Sequence, residues 1–195
     1  SIPVGRGLGS SAALSIAIAR AKGITKAKIR EIADKCEKFI HGNPSGIDVN
    51  QVLSDTPLLF SKEHGAKQLP FSLDSYLLII DTGVVGITKH TLEHVKDNLK
   101  TYKPYIDELG SITKKVIKPL KEKNIDLIGE YMYKAHSLLQ KIGVSHEKND
   151  EVVELCKNNN AKGAKLTGGG AGGCCICLCD TKENALKIQD KLKEK

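Results

Sequence analysis

The sequence is poor in aromatic residues and has no tryptophan. Aromatic side chains make up only 4% of the 195 residues, whereas the net charge of +7 would suit an anionic partner. Proteins that bind single-stranded nucleic acid usually stack the bases on aromatic side chains. The low aromatic content therefore argues against a nucleic-acid binder, and a nucleotide becomes the favoured anionic partner.

Long apolar runs are also missing from the sequence. No stretch approaches the roughly 20 apolar residues that a membrane-spanning helix needs. Apolar residues make up 40% of the chain and charged residues 27%, which are ordinary values for a globular protein. We therefore expect one large or two small domains with a buried core, and no membrane partner.

The chain has six cysteines, and four of them stand together in Cys174-Cys175-Ile176-Cys177-Leu178-Cys179. Zinc sites usually use pairs of ligands that are separated by a loop. The present spacing is instead typical of a buried strand in which cysteine serves as a small apolar residue. A secreted disulfide framework is not indicated either, so we expect a reducing, cytoplasmic environment.

Periodicity and turn residues predict an α+β chain rather than a regular βαβ alternation. Helices are predicted over 10–22, from Thr25 to about Ile40, and over 47–53, 88–101, 104–121, 125–142, 148–159 and 183–194. Strands are predicted over 57–61, 67–69, 76–81 and 163–167, and at the cysteine-rich segment. Pro104 is expected to separate two helices, and a domain boundary is expected within 82–90.

The first candidate site is the glycine-rich segment Gly5-Arg6-Gly7-Leu8-Gly9-Ser10-Ser11-Ala12-Ala13. Glycines let successive backbone N–H groups converge, and a helix that begins at Ser10 or Ser11 adds its positive end. The segment is neither a Walker A loop nor a G-x-G-x-x-G fingerprint. It predicts a phosphate cradle, with an ordinary turn capped by a serine as the alternative.

The second candidate site has two carboxylates, Glu37 and Asp48, on either side of the turn His41-Gly42-Asn43-Pro44-Ser45-Gly46. Mg²⁺ prefers oxygen ligands and is often held by one or two protein groups together with nucleotide phosphates. Phosphoryl transfer to an alcohol also uses an anionic group near the attacking hydroxyl. One carboxylate for each role is sufficient. A solvated helix Glu and a helix-capping Asp are the alternatives.

The third candidate site is Lys165-Leu166-Thr167 followed by Gly168-Gly169-Gly170-Ala171-Gly172-Gly173, between two predicted strands. A loop with so little side-chain bulk allows a ligand to approach the backbone closely. A flexible hairpin is the alternative.

The three segments, in this order, resemble the sequence motifs of the GHMP kinase superfamily. Gly7–Ala13 is similar to its phosphate loop, and Lys165–Cys174 is similar to its C-terminal glycine motif. The middle segment, Glu-x-x-x-His-Gly-Asn-Pro-Ser-Gly-Ile-Asp, resembles the mevalonate kinase branch, as does the turn Gly143–His146. The family's upstream motif and last strand are not among these residues.

The resemblance implies a two-lobed α+β GHMP kinase fold. Residues 1–85 would form the remainder of a lobe that is like ribosomal protein S5, and residues 86–195 a ferredoxin-like lobe. The implied activity is transfer of a phosphoryl group from ATP, with Mg²⁺, to the C5 hydroxyl of mevalonate in isoprenoid biosynthesis.

The resemblance also implies a role for particular residues. Asp48 would be the catalytic carboxylate, and Ser11 and Glu37 would hold Mg²⁺. The nucleotide would be bound by Gly5, Gly7, Leu8, Gly9, Ser10, Ser11 and Ala12. The substrate would be bound by His41, Ser45, Gly46, Thr88, Gly168, Gly169 and Gly170.

Three alternatives remain open at this point. One is another GHMP kinase that acts on phosphomevalonate, homoserine or a sugar. Another is a nucleotide-binding sensor of the same fold that does not turn over, although the presence of Glu37 and Asp48 argues against it. The third is a nucleic-acid binder of similar fold, which only the charge suggests. A homodimer is one option for the assembly state.

Overall fold

The computed structural model of the chain describes residues 2–86 and 88–194. Its helices are α1 (Ser10–Ala21), α2 (Lys26–His41), α3 (Ile47–Val52), α4 (Thr88–Asp97), α5 (Leu99–Lys115), α6 (Ile117–Glu122), α7 (Ile125–Lys141), α8 (Glu147–Asn158) and α9 (Lys182–Lys193). Its strands are β1 (Leu58–Ser61), β2 (Gly65–Gln68), β3 (Tyr76–Asp81), β4 (Gly163–Leu166) and β5 (Cys174–Cys179).

The chain forms two compact units. The first contains the residues up to Val4 together with Leu8–Phe71, and the second contains Gly5–Gly7 together with the residues from Ser72 onward. The boundary between the two units therefore precedes β3, whereas the sequence suggested a domain boundary within 82–90. The assignment of residues 1–85 and 86–195 to two lobes stays a prediction.

The first unit is built on three helices and a hairpin. Helices α1, α2 and α3 bury a small apolar core that consists of Ala12, Ile16, Ala19, Ile29, Ala33 and Val49. The alanines allow the helix backbones to lie close together. Strands β1 and β2 pair in antiparallel fashion, from Leu58 opposite Gln68 to Ser61 opposite Gly65.

The second unit is built on a three-stranded antiparallel sheet of order β3-β5-β4. The central strand β5 pairs with β3 from Tyr76 opposite Cys179 to Asp81 opposite Cys174, and with β4 along its other edge. Apolar side chains of α8, α9 and the sheet form the larger of the two cores described here.

The cysteine-rich segment is a buried strand, as predicted. Its four cysteines and Leu178 are almost fully buried, while Ile176 is only partly so. All six cysteines of the chain are free thiols. Burial raises the pKa of Cys175 to about 11, so its thiol stays protonated and behaves as a small apolar group.

Most predicted elements are confirmed to within a few residues, but the prediction at Pro104 was wrong. Pro104 lies inside α5, and the break between helices falls at Asn98. The helix predicted over 104–121 also divides at Val116, which ends α5 and precedes α6. Packing of α5 against α7 outweighs the backbone hydrogen bond that the proline removes.

No helix in the described part of the chain is both long and apolar enough to cross a membrane.

Candidate active site

The candidate site in the first unit begins at the N-terminus of α1. Gly9 is the N-cap of this helix and has a positive φ of 65°, and no side chain among the described residues caps the first turn. The first N–H groups of the helix therefore stay available to an anion, close to the positive end of the helix dipole. Ala12 is fully buried, and its predicted contact with the nucleotide stays a prediction.

Asp48 lies directly against this helix start. A Cβ atom added at Gly9 would come within 3.3 Å of Asp48 Oδ1, so the carboxylate packs on the glycine itself. Asp48 stands in the first turn of α3 and is exposed to solvent on one side. The structure therefore brings the predicted catalytic carboxylate beside the predicted phosphate cradle.

The turn that precedes α3 fixes the position of Asp48. Gly46 is the N-cap of α3 with a φ of 84°, and its carbonyl accepts a hydrogen bond from Asn50 Nδ2. The hydroxyl of Ser45 accepts a hydrogen bond from the N–H of Ile47 at 3.3 Å. Ser45 and Gly46 thus shape the turn, and their predicted contact with substrate stays a prediction.

A second polar cluster joins α1 to α2. The hydroxyl of Ser11 donates a hydrogen bond of 2.5 Å to Glu37 Oε1, and Ser11 Oγ lies 3.3 Å from His41 Nε2. His41 Nε2 also lies 3.7 Å from Glu37 Oε2, one helical turn away on α2. The structure therefore groups His41, a predicted substrate-binding residue, with the two predicted metal ligands.

The pKa of Asp48 is raised. Partial removal of water from the side that faces the protein is the main cause, and the negative charge of Glu37 adds to it. The nearby His41 acts in the opposite direction. A carboxylate with a raised pKa is a better proton acceptor than an ordinary exposed one, as a group that receives a hydroxyl proton should be.

The donor set around Glu37 suits a hard cation. Glu37 is only 4% exposed, and the ion pair it makes in the described structure is with the imidazole of His41. A buried carboxylate beside a hydroxyl presents the oxygen ligands that Mg²⁺ takes together with nucleotide phosphates. The described residues hold no cluster of three His, Cys, Asp or Glu side chains for a metal, so nucleotide oxygens would have to complete the coordination.

The candidate site in the second unit is the loop between β4 and β5, which lies against other backbone. A Cβ atom at Gly168 would come within 2.8 Å of the Cα atom of Gly7, and one at Gly170 within 2.1 Å of the carbonyl oxygen of Val144. The N–H of Ala171 donates to the same carbonyl at 2.8 Å. The glycines here allow two loops and a turn to pack at close range.

The side chain of Asn149 holds the glycine loop in place through hydrogen bonds. Its side-chain Nδ2 donates to the carbonyl of Gly172 and its Oδ1 accepts from the N–H of Gly172, both at 3.0 Å. Asn149 is completely buried and also belongs to the capping box of α8, with His146. The glycine loop is therefore attached to α8, which argues against the flexible-hairpin alternative.

The described structure gives no further support for substrate binding by two of the predicted residues, Thr88 and Gly169. Thr88 begins α4, but its side chain lies outside the described residues. Gly169 is half-buried in the glycine loop, and its predicted contact with substrate stays a prediction.

Sequence reasoning missed the residues that support the two glycine loops. Arg6 pairs with Asp81 at 3.0 Å, and Asn149 pairs with Gly172. The one usable signal was the position of Arg6, a charged residue between two glycines of a phosphate loop. Nothing in the pattern of α8 distinguishes Asn149 from the polar residues around it.

Comparisons with known proteins identify the family to which the chain is similar. Residues 1–54 match the family described as GHMP kinases N terminal domain, and residues 116–195 match the family described as GHMP kinases C terminal. A mevalonate kinase of Pyrococcus horikoshii is 32% identical to this chain over an alignment of 206 positions, which covers 98% of this chain. The chain spans only 61% of the length of that relative.

Solved structures of mevalonate kinases also superpose on this chain. The crystal structure of L. major mevalonate kinase in complex with R-mevalonate superposes with a TM-score of 0.84 at 26% identity, over 96% of this chain and 61% of that one. The Methanococcus jannaschii mevalonate kinase superposes with a TM-score of 0.81 at 26% identity, over 100% of this chain and 63% of that one. These matches confirm the predicted α+β fold.

Proposed function

Because the chain belongs to the GHMP kinase superfamily, we propose that the complete protein transfers the γ-phosphoryl group of ATP to the C5 hydroxyl of mevalonate, as a step of isoprenoid biosynthesis. The observation that carries the proposal is the position of Asp48 against Gly9, at the open N-terminus of α1. An acceptor hydroxyl and a nucleotide phosphate would meet at such a place. The mevalonate kinase relatives support the choice of substrate.

Asp48 would orient the attacking hydroxyl and accept its proton. Its exposed side leaves room for a substrate, and its raised pKa suits proton transfer. In phosphoryl transfer the protein mostly positions the reactants and stabilises charge, so one well-placed carboxylate is enough.

The nucleotide phosphates would bind to the backbone of Gly5, Gly7, Leu8, Gly9, Ser10, Ser11 and Ala12. Uncapped N–H groups and the helix dipole favour an anion at the beginning of α1. Because these donors are already oriented, little reorganisation would accompany the reaction.

Ser11 and Glu37 would hold Mg²⁺, which when bound would offset the negative charge of the phosphates. In the described structure the hydroxyl of Ser11 already faces Glu37 Oε1. The protein thus keeps its two oxygen donors adjacent through a hydrogen bond between them.

The remaining parts of the proposal concern substrate contacts and context. Mevalonate would be bound by His41, Ser45, Gly46, Thr88, Gly168, Gly169 and Gly170. The free thiols of all six cysteines support a reducing location such as the cytoplasm. A homodimer stays a prediction.

The first experiment measures ADP release by the complete gene product with Mg²⁺ and ATP, using mevalonate, phosphomevalonate, homoserine and galactose in parallel. We expect turnover with mevalonate alone. Turnover with another acceptor would keep phosphoryl transfer but overturn the substrate. Binding of ATP without turnover on any acceptor would indicate a sensor.

Replacing Asp48 tests the proposed role of the carboxylate. We expect Asp48→Asn to lower kcat by roughly 10²–10⁴-fold, the usual contribution of general base catalysis, because the amide cannot accept the hydroxyl proton. Calorimetric titration with ATP should show nearly unchanged binding. Asp55→Asn, at an exposed position of the same unit, is the matched control. A kcat of Asp48→Asn within a few-fold of that of the unmodified protein would contradict the assignment of Asp48 as the catalytic carboxylate.

A further inference from the structure

Arg6 is the one charged residue in the first glycine loop, between Gly5 and Gly7, and its guanidinium is bound to another part of the second unit. Its Nε lies 3.0 Å from Asp81 Oδ2, and the Arg6 side chain is only 19% exposed. The proposed nucleotide contacts use the backbone of the loop and leave this side chain without a role. A partly buried ion pair is worth more than an exposed one, since solvent screens it less.

Asp81 is a firm attachment point for that guanidinium. It is the last residue of β3 and lies opposite Cys174 of the central strand β5. Its other oxygen, Oδ1, accepts a hydrogen bond of 2.9 Å from the N–H of Gly83, which fixes the rotamer of the carboxylate. The carboxylate that receives Arg6 is thus tied to the sheet by both backbone and side chain.

The backbone of the same loop is attached to the sheet beside this ion pair. The carbonyl of Arg6 accepts a hydrogen bond of 3.2 Å from the N–H of Cys174. One residue further, Gly7 packs so closely on Gly168 that a Cβ atom at Gly7 would lie 3.2 Å from its Cα. The ion pair is therefore one of several contacts that hold residues 5–7, and it is made by the side chain of Arg6.

We propose that Arg6 is a positioning residue, whose ion pair with Asp81 holds the first glycine loop in the conformation that receives the nucleotide phosphates. That this loop receives nucleotide phosphates rests on the proposed function. Glycines give a loop many conformations, and ordering it at the moment of binding costs free energy. A loop that is ordered beforehand avoids that cost and binds more tightly.

The rival interpretation is that Arg6 binds phosphate directly. Its Nη1 atom is buried and has no hydrogen-bond partner among the described residues, so one donor is in principle free. The two interpretations make opposite predictions for Asp81. If Arg6 acts through Asp81, removing the carboxylate weakens nucleotide binding. If Arg6 binds phosphate itself, removing the competing carboxylate strengthens nucleotide binding or leaves it unchanged.

The test uses four variants of the complete gene product, Arg6→Ala, Arg6→Lys, Asp81→Asn and the double variant Arg6→Ala with Asp81→Asn. Asp81→Asn keeps an oxygen for the N–H of Gly83 and removes only the charge that Arg6 requires. Arg6→Lys retains a cation that can reach Asp81. Lys103→Ala, which breaks an exposed pair with Asp107 within α5, is the control for loss of an ordinary surface ion pair.

We expect Arg6→Ala and Asp81→Asn each to raise the KM for ATP and the Kd for ADP about tenfold, with kcat changed less than threefold. The double variant should be no worse than either single one, because both remove the same interaction. Arg6→Lys should recover most of the binding, and Lys103→Ala should leave it unchanged. Additive effects in the double variant, or tighter binding by Asp81→Asn, would overturn the proposal.

A second readout does not depend on the proposed function. With ¹⁵N-glycine labelling and no nucleotide, the heteronuclear NOE of Gly5 and Gly7 reports loop order on the picosecond to nanosecond timescale. We expect these values to fall in Arg6→Ala and Asp81→Asn and to stay high in Lys103→Ala. If they do not fall, the positioning role is wrong. If the unmodified protein binds no ATP or ADP, the proposed function fails, whereas the NOE still decides whether Arg6 orders the loop.

Discussion

Ala171 adopts a left-handed backbone conformation that residues with a side chain seldom adopt. Its φ is 56°, and its N–H is committed to the carbonyl of Val144. For an L-residue this conformation costs roughly 1–2 kcal/mol relative to the right-handed one. The glycine loop therefore contains strain at its only non-glycine position between Gly168 and Gly173.

Ala171→Gly should relieve that strain. Glycine adopts a positive φ freely, but it also loosens the unfolded chain by roughly 0.4–1 kcal/mol. We therefore expect a net gain of up to about 1 kcal/mol in the free energy of unfolding, measured by urea denaturation. Ala27→Gly, at an exposed position in α2, is the control and should lose roughly 0.5–1 kcal/mol. A clear loss of stability in Ala171→Gly would contradict this explanation.

For individual residues, the sequence predicted which residues belong to the candidate site better than it predicted which residues contact each other. Asp48 and Gly9 were both predicted site residues, and the structure places them in contact. The pairing of Arg6 with Asp81 could not be predicted, because hydropathy and spacing do not specify which carboxylate a distant cation meets. Such pairs depend on how strands and loops are brought together by the whole fold.

Helix α7 lies unusually close to strand β4 because each contributes a glycine at the crossing. A Cβ atom at Gly129 of α7 would lie 1.9 Å from the carbonyl oxygen of Lys162, just before β4, and one at Gly163 would lie 2.4 Å from the Cα of Gly129. Real Cβ atoms do not approach backbone atoms so closely, so any side chain here would push the helix away from the sheet.

Gly129→Ala should therefore destabilise the second unit. Forcing a methyl group into a packed contact typically costs about 1–3 kcal/mol, and here it meets backbone that cannot rotate away. Gly110→Ala is a closely matched control, since Gly110 also lies within a helix and has nothing within 4 Å of its Cβ position. That control should gain about 0.5–1 kcal/mol from helix propensity. Thermal denaturation should thus shift in opposite directions for the two variants.

Among the elements, those with a strong local signal were predicted well. The bounds of β3 were predicted as they are, and α1, α2 and α7 within about two residues, because apolar periodicity marks them clearly. Pro104 misled the prediction because a local signal was given more weight than packing between helices. The partner of each strand was not predictable, since β3 pairs with a strand that follows it by about half of the chain.

The stability of the molecule should depend on pH through His136. This imidazole is 4% exposed, its Nδ1 accepts a hydrogen bond from the N–H of Leu166, and its Nε2 lies 3.1 Å from Asp150 Oδ1 without the alignment of a hydrogen bond. Burial lowers the pKa of His136 below the ordinary value of 6.5, although Asp150 partly opposes the shift.

Because this pKa is lower in the folded protein, the unfolded chain binds the proton more readily. The contribution of His136 to the free energy of unfolding is therefore complete above about pH 6.5 and is lost as the pH falls through the folded-state pKa. We expect His136→Asn, which keeps an acceptor for Leu166, to flatten the pH dependence of urea denaturation below pH 6.5. His64→Gln, at an exposed position, should leave the slope unchanged. An unaltered slope in His136→Asn would show that other groups control the acid response.

The strand order β3-β5-β4 has a consequence for the order in which the chain folds during synthesis. The residues of the first unit all precede Ser72, so its helices can begin to pack before β3 is made. Strand β3 emerges soon afterwards but has no neighbour until β5 leaves the ribosome, after five further helices. In that interval Leu78 and Ile80, which pack in the core of the second unit once the sheet has formed, lie on a strand without a partner. We therefore expect the nascent second unit to be a client for a chaperone.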